Sequence, residues 1–382
     1  MLQAILEKKE KKVEYLELIY DLIFVYIIGR NNSLLHHLEN GFLTWDLFLP
    51  YLLCTLAVIQ IWMYSTYYIN LYGKHNVREH VFLFVNMFLL YFLAEGTRLH
   101  WQSFHTQYHA AWALILCNIA LQYLIEALHA ETKAEKTLAR RMMVILLVEA
   151  ALVVGAIPVF AKTGLEILSP AAILFGMVAS SFSGGKKARL PVDFPHLSER
   201  VMLFVVFTFG EMIIAIASYF DGAFNARSLY FSLMGFLIVV GLFLSYGVVY
   251  DHIIDREKET DGLRYTLVHV GLIFVLNNIT CALEFMQNDK IALLPKMLFL
   301  VGSLVFYYVF LFMISSYAKT SCHLSARFLG GMAALAISFV LLMLLLREQM
   351  MGNIAVTVVY VFTAFLVLYR AGKRMDSAQN AL

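Results

Sequence analysis

Two acidic residues, Glu17 and Asp21, lie four positions apart in an apolar stretch near the start of the sequence. Residues with this spacing share one face of a helix. Two adjacent buried carboxylates repel each other, which favours binding a proton or a cation. The pair is therefore typical of an ion site at the mouth of a membrane protein. It is equally typical of an acidic pair that neutralises nearby Lys and Arg, and both interpretations stay open.

Four more ionisable residues interrupt long apolar stretches, and they are Arg30, Glu149, Glu211 and His269. A charge near the centre of a bilayer costs at least ~2.5–3.5 kcal/mol, so such groups normally face protein or water and have a partner. Glu149 has no opposite charge close in sequence. It is expected either to be protonated, as in a proton relay, or to pair across helices. His269 shares its stretch with two asparagines and is expected to form hydrogen bonds between helices or to serve function.

Arg30 and Glu211 have opposite charges and matching places in the two halves of the sequence. Each is expected about halfway through its helix, and a contact between them at the interface of the halves is predicted. Such a pair would either fix the register of the halves or act as a gate or substrate anchor. Gly210, which has no side chain, is expected to let another helix approach closely.

A third pattern is the histidine group His100, His105 and His109, of which the last two have helical spacing. Such a pair can hold a metal ion. No carboxylate lies within the same loop, and Trp101 and Tyr108 are typical of an aromatic belt at a membrane surface. The sequence therefore predicts no metal site. It also predicts no cofactor, since no nucleotide-binding or hydrolase motif is present.

These groups belong to a very apolar chain of 382 residues, of which 61% are hydrophobic and only 15% charged. A soluble protein has roughly 25% charged residues. The composition excludes a water-soluble fold and disorder. A net charge of +2 gives no reason to expect nucleic acid as a partner. The four cysteines lie far apart and are expected to be buried hydrophobic side chains, not disulfides or zinc ligands.

The apolar stretches predict an all-α polytopic membrane protein with about twelve transmembrane helices, since a span needs about 20 apolar residues. The predicted spans are 14–35, 45–70, 80–98, 109–129, 141–161, 168–183, 200–220, 228–250, 264–286, 296–318, 327–347 and 353–371. With the amino terminus inside, 22 of the 29 Lys and Arg residues fall inside and six outside. This asymmetry predicts that both termini are cytoplasmic. The lipid bilayer is the expected surrounding partner.

Similar segments begin spans 1 and 7: residues 22–25 align with residues 202–205. An even number of spans in each half gives both halves the same orientation, which is typical of parallel repeats. The sequence thus predicts two parallel six-helix repeats, in residues 1–183 and 199–382. A cytoplasmic linker is predicted over residues 184–198.

The segment from Glu17 to Tyr26, E-L-I-Y-D-L-I-F-V-Y, resembles the opening of the bacterial low temperature requirement protein A family. The segment from Glu199 to Phe204 and the later Phe209-Gly210-Glu211 resemble a second element of that family. The resemblance implies a multi-pass bacterial plasma-membrane protein linked to growth in the cold. It implies no reaction and no substrate.

Three classes of function are compatible with these patterns. Twelve spans, two similar halves and intramembrane acids favour a secondary transporter coupled to protons. The link to cold growth and the short loops favour a protein that handles or senses lipids. An intramembrane enzyme would need a site assembled from several helices. A polar cavity around Glu211 would favour transport, and an apolar cleft open to the bilayer would favour lipid. No substrate is predicted.

Overall fold

The computed structural model describes residues 11–35, 44–95, 101–183, 192–217, 219, 225–287, 291–320, 322 and 324–379. Within these ranges the chain forms twelve α-helices and no strand of a sheet. The helices are α1 (Tyr15–Asn32), α2 (Trp45–Tyr72), α3 (Val77–Glu95), α4 (Trp101–His129), α5 (Lys133–Thr163), α6 (Leu168–Ser181), α7 (Phe194–Ala217), α8 (Ala226–Val248), α9 (Leu263–Gln287), α10 (Leu293–Met313), α11 (Ala326–Leu345) and α12 (Met350–Gln379).

Ten of these helices are long and apolar enough to cross a membrane, which confirms an all-helical, multi-pass membrane protein. The two exceptions among the described helices are α1 and α6. Helix α1 carries three charged residues, Glu17, Asp21 and Arg30. Helix α6 has 14 residues and is about 21 Å long at about 1.5 Å per residue, short of a ~30 Å hydrocarbon core. The count of twelve spans stays a prediction.

The chain folds into two compact units, and each is built from separate stretches of sequence. Unit 1 consists of Met1–Leu34, Leu49–Phe204 and Arg256–Val270. Unit 2 consists of Leu35–Phe48, Val205–Asp255 and Gly271–Leu382. The predicted repeats and their boundaries stay a prediction.

Polar residues mark several helix ends in unit 1. Thr132 and Glu135 form a capping box at the start of α5, and Gly164 ends that helix with φ of 69°. This left-handed conformation is available to glycine without a steric penalty. Asp193 caps α7 through its side chain, which accepts a hydrogen bond from the backbone N–H of His196 at 3.2 Å. Helix α7 consequently begins at Phe194, inside the predicted linker, whose residues 184–191 lie outside the described residues.

Candidate functional site

Asp21 lies at the centre of a charged cluster in unit 1, which consists of Lys11, Glu17, Asp21, His196 and Arg200. Arg200, from the second turn of α7, donates two hydrogen bonds to its carboxylate, from Nε to Oδ2 at 3.1 Å and from Nη2 to Oδ1 at 2.8 Å. Trp62 of α2 donates a third, from Nε1 to Oδ1 at 2.8 Å. Asp21, Trp62 and Arg200 are all fully buried. Paired charges with complete hydrogen bonding can persist in such an environment.

Glu17 lies one turn before Asp21 on the same helix and has a looser set of partners. Its Oε2 is 3.2 Å from Nε2 of His196 and 3.5 Å from Nη1 of Arg200. Its Oε1 is 3.9 Å from Nε2 of His75. Among the described residues, neither oxygen accepts a well-directed hydrogen bond. Glu17 is therefore held by longer, less directed contacts than Asp21, whose carboxylate accepts three hydrogen bonds.

A shell of polar residues holds His196 beside Glu17. Nδ2 of Asn70 donates to the carbonyl oxygen of Asp193 at 2.8 Å and lies 3.1 Å from Nδ1 of His196. The backbone N–H of Asp193 donates to Oδ1 of Asn70 at 3.0 Å. Lys11 donates from Nζ to the carbonyl oxygens of Ile69 and Gly73, which close the end of α2. Burial lowers the pKa of Lys11 below its ordinary value, although Glu17 opposes this effect.

Apolar and aromatic contacts fix the helices that carry the cluster. The ring of Trp62 stacks on Phe204 of α7, with ring centroids 4.3 Å apart. The hydroxyls of Tyr20 in α1 and Ser65 in α2 are hydrogen-bonded at 2.8 Å. The start of α1, the end of α2 and the start of α7 consequently meet in one place. The cluster contains two carboxylates, the Arg200 guanidinium and, at its edge, the Lys11 ammonium, so these formal charges balance.

A cavity of about 10 Å3 adjoins Glu17 and is lined by residues that include Tyr68, His75, His80 and Gln122. This volume is room for about one water molecule. Most of these side chains have a polar atom that can bind water. The cavity thus places room for about one water molecule beside the Glu17 carboxylate.

Glu149 lies apart from this cluster, at a second buried polar point of unit 1. The hydroxyl of Tyr64 donates to its Oε2 at 2.6 Å. Nε2 of Gln60 donates to the Tyr64 oxygen at 2.9 Å and lies 3.0 Å from the carbonyl oxygen of Ile173. Oε1 of Glu149 has no hydrogen-bond partner among the described residues, and no positive group of theirs forms an ion pair with it. Glu149 is therefore a fully buried carboxyl group whose hydrogen-bond partner among the described residues is the Tyr64 hydroxyl.

The structure corrects the expected position of Arg30, which lies in the last turn of α1 and not halfway through it. Its side chain is 42% exposed, and Nη2 is 3.9 Å from Oε1 of Glu95. Residue 30 already falls in the last third of the predicted span 14–35, and α1 ends at Asn32, before that span does. Glu211 is half-buried in the second half of α7. The predicted contact stays a prediction, because Arg30 belongs to unit 1 and Glu211 to unit 2.

The structure gives His269 a hydrogen-bond partner within its own helix. His269 is buried in α9, where its Nδ1 lies 2.8 Å from the carbonyl oxygen of Tyr265 and its ring packs against the Tyr265 ring. A carbonyl only accepts, so Nδ1 carries the proton.

The expectation for Gly210 is wrong: a Cβ atom there would meet no described atom within 4 Å. The packing that would require a glycine is absent at this point of α7 within the described residues.

The sequence interpretation missed Arg200 and His196, although a signal for them was present. His196 and Arg200 are four residues apart at the start of α7, as Glu17 and Asp21 are at the start of α1. Two basic residues on one helical face complement two acidic residues on another. This complementary spacing is the signal in the sequence that indicates the contact.

Comparison with known protein families gives one match. The family model "Bacterial low temperature requirement A protein (LtrA)" matches residues 12–364, which include every residue of the cluster except Lys11. Comparison with curated proteins finds no match. The chain belongs to the LtrA family.

Proposed function

We propose that this member of the LtrA family is a proton-coupled secondary transporter in the bacterial plasma membrane. Both of its termini are cytoplasmic in this proposal. The observation that carries the proposal is the pair of acids in α1, buried beside Arg200 and His196. Buried ionisable groups in membrane helices are costly and typically mark ion pathways. The substrate is a small molecule whose identity the proposal leaves open.

The two acids have different roles in this proposal. Asp21 is the structural partner of Arg200, because its carboxylate is occupied by three hydrogen bonds. Glu17 is the proton carrier, because its oxygens accept no well-directed hydrogen bond among the described residues and adjoin a small cavity. His196, 3.2 Å from Glu17, can exchange a proton with it or stabilise its charged form.

Glu149 supplies a second protonatable group within the same unit. It lies in the middle of α5 and is fully buried. Tyr64 and Gln60, one turn apart on α2, connect it by hydrogen bonds to the helix that also carries Trp62. A carboxyl group without a nearby cation alternates between a protonated state and a charged state only when water or a partner reaches it. We assign Glu149 as the second, fully buried proton-binding group of the proposed proton pathway.

The test is a flux assay with purified full-length protein in proteoliposomes that contain a pH-sensitive dye. Candidate small molecules are added with and without an imposed pH gradient. Wild-type protein is expected to move protons when a substrate is present, and Glu17→Gln is expected to abolish this movement. Glu131→Gln is the control, because Glu131 is exposed in the connection between α4 and α5 and does not line the cavity beside Glu17. Substrate-driven proton movement that persists in folded Glu17→Gln protein would contradict the assignment.

A second function, lipid handling, is favoured by a cleft between α3 and α4. This cleft has a volume of about 600 Å3 and an apolar lining that includes Phe92, Phe104 and Leu114, with Glu95 and Gln107 as polar members. Such a lining suits an acyl chain with a polar group at one end. Ala110 lines this cleft, and Ala110→Trp would place a bulky ring in it. Loss of fluorescent-lipid binding in this variant, together with no proton flux in wild-type protein, would favour lipid over transport.

A further inference from the structure

Three potential metal ligands converge at the start of α4 and the connection between α5 and α6. His105 and His109 lie one turn apart on α4, and Glu166 follows Gly164 in the short connection. One donor atom from each lies within 4.8 Å of the others. Both histidines are buried. The sequence offered no carboxylate in the loop of the histidines, whereas folding brings one from 57 residues beyond His109.

The tautomer of His109 leaves a lone pair directed at the cluster. Its Nδ1 lies 2.7 Å from the carbonyl oxygen of His105, and because a carbonyl only accepts, Nδ1 carries the proton. The other nitrogen, Nε2, lies 2.8 Å from the hydroxyl oxygen of Ser169. Histidines that bind metals commonly donate their second N–H to a backbone carbonyl in this manner.

The cluster has more lone pairs than protons to satisfy them. Ser169 lies within hydrogen-bond distance of both His109 Nε2 and Glu166 Oε2, at 2.8 and 2.7 Å, but its hydroxyl has a single proton. Nε2 of His105 lies 2.7 Å from Oε1 of Glu166 without a well-directed hydrogen bond. Two such basic atoms at this distance need a shared proton or a shared cation. The cluster can therefore hold either a proton that His105 donates to Glu166, as in the metal-free protein, or a metal ion in place of that proton.

Surrounding residues hold the ligands in place. Trp101 donates from Nε1 to Oε1 of Glu166 at 3.0 Å. The His105 ring stacks between His109, at a centroid distance of 3.9 Å, and Phe160, at 4.0 Å. A network of this kind orients ligand atoms and limits the rearrangement needed on binding.

We propose that His105, His109 and Glu166 bind one divalent first-row transition-metal ion, with Zn2+ as the ion that this ligand set suits best. Two imidazoles and one carboxylate form a set that binds zinc at ~2.0–2.2 Å, whereas Mg2+ and Ca2+ prefer oxygen ligands. In a tetrahedral site with such bond lengths, ligand atoms lie about 3.3–3.6 Å apart. Binding therefore moves the more distant donor atoms together and opens the 2.7 Å contact between His105 and Glu166. A fourth position stays open for water or Ser169.

The proposal is tested by Zn2+ titration of the chelator-treated, detergent-purified full-length protein against a chromophoric competitor. Wild-type protein is expected to bind one Zn2+ tightly. Glu166→Gln and His109→Gln are expected to weaken this site by more than about 100-fold, exceeding the ~10–100-fold typical of losing an outer-shell partner. Ser169→Ala is expected to fall within that smaller range.

His129→Ala is the matched control. His129 lies at the other end of α4, and its Nδ1 makes the same contact to a backbone carbonyl, that of Ile125, at 2.8 Å. It is exposed and has no part in the three-ligand group. The control should bind Zn2+ as wild-type protein does. Thermal unfolding of each metal-free variant shows whether it is folded before titration.

A second readout, the visible spectrum of the Co2+-substituted protein, separates a three-ligand site from surface binding. Intense absorption from a site of low coordination number is expected in wild-type protein and in His129→Ala, and not in Glu166→Gln. Wild-type protein that binds Zn2+ no more tightly than folded Glu166→Gln would overturn the proposal. Equal weakening by His129→Ala would also overturn it, and tighter binding of Mn2+ than of Zn2+ would overturn the choice of ion.

Discussion

Arg200 and Asp21 are joined by two hydrogen bonds although 179 residues separate them in the sequence. Both side chains are fully buried, so each supplies the charge that the other needs in an apolar environment. This contact connects the start of α1 to the start of α7 within unit 1. In the proposed function, this contact assigns the structural role to Asp21 and leaves Glu17 as the proton carrier.

Asp21→Asn should destabilise the protein strongly, whereas Glu17→Gln should not. Removing one partner of a buried ion pair costs ~3–5 kcal/mol, because the other charge is left uncompensated. Thermal unfolding of the purified variants in detergent measures the difference. The double variant Asp21→Asn with Arg200→Gln should recover part of the loss. A Glu17→Gln variant less stable than Asp21→Asn would reverse the assignment of the two roles.

Gly176→Ala should damage the surroundings of Glu149. A Cβ atom at Gly176 would overlap Glu149 Oε2, the Tyr64 hydroxyl oxygen and Gln60 Nε2. Overpacking of this kind costs ~1–3 kcal/mol or more. The matched control is Gly210→Ala, where the added atom meets no described atom within 4 Å and a gain of ~0.5–1 kcal/mol is expected. Equal unfolding temperatures for the two variants would show that the contact at Gly176 is wrong.

Acid should remove a stabilising contribution of Glu166. Burial raises the pKa of this carboxyl group, but contact with His105 and the hydrogen bond from Ser169 outweigh it and hold the pKa below its ordinary value near 4.5. A lowered carboxyl pKa gives stability that is present above the ordinary value and is lost as the pH falls through the folded value. Metal-free wild-type protein should therefore be more stable than Glu166→Gln at pH 6. This difference in unfolding temperature should shrink below about pH 4.5; a constant difference would contradict the shift.

The predicted orientation can be checked by labelling single cysteines from outside intact cells. In a variant without its four native cysteines, Ala226→Cys should react with an impermeant maleimide and Glu131→Cys should not. Both positions are exposed, so access depends on the side of the membrane. His105, also predicted outside, is 2% exposed and makes a poor reporter. Labelling of position 131 in sealed cells would show that the connection between α4 and α5 is outside. That result would exclude a cytoplasmic amino terminus followed by the four predicted spans before this connection.

The sequence alone determined the class of the protein and its family. Apolar stretches of about 20 residues form helices because a bilayer offers no partner for free backbone groups, and ten such helices are present among the described residues. The motifs around Glu17, Asp21 and Glu211 were sufficient for the family, whose model covers residues 12–364. The class and the family depend on the local composition and the order of residues, which can be read directly from the sequence.

Only the tertiary structure decided which of these groups meet. Arg200 reaches Asp21, Tyr64 reaches Glu149, and Glu166 reaches His105, each from a different helix or connection. Hydropathy indicates which stretches enter the membrane but not how each helix is rotated about its axis or which helices are neighbours. Those are set by side-chain packing, such as the stacking of Trp62 on Phe204, and by the need of each buried charge for a partner.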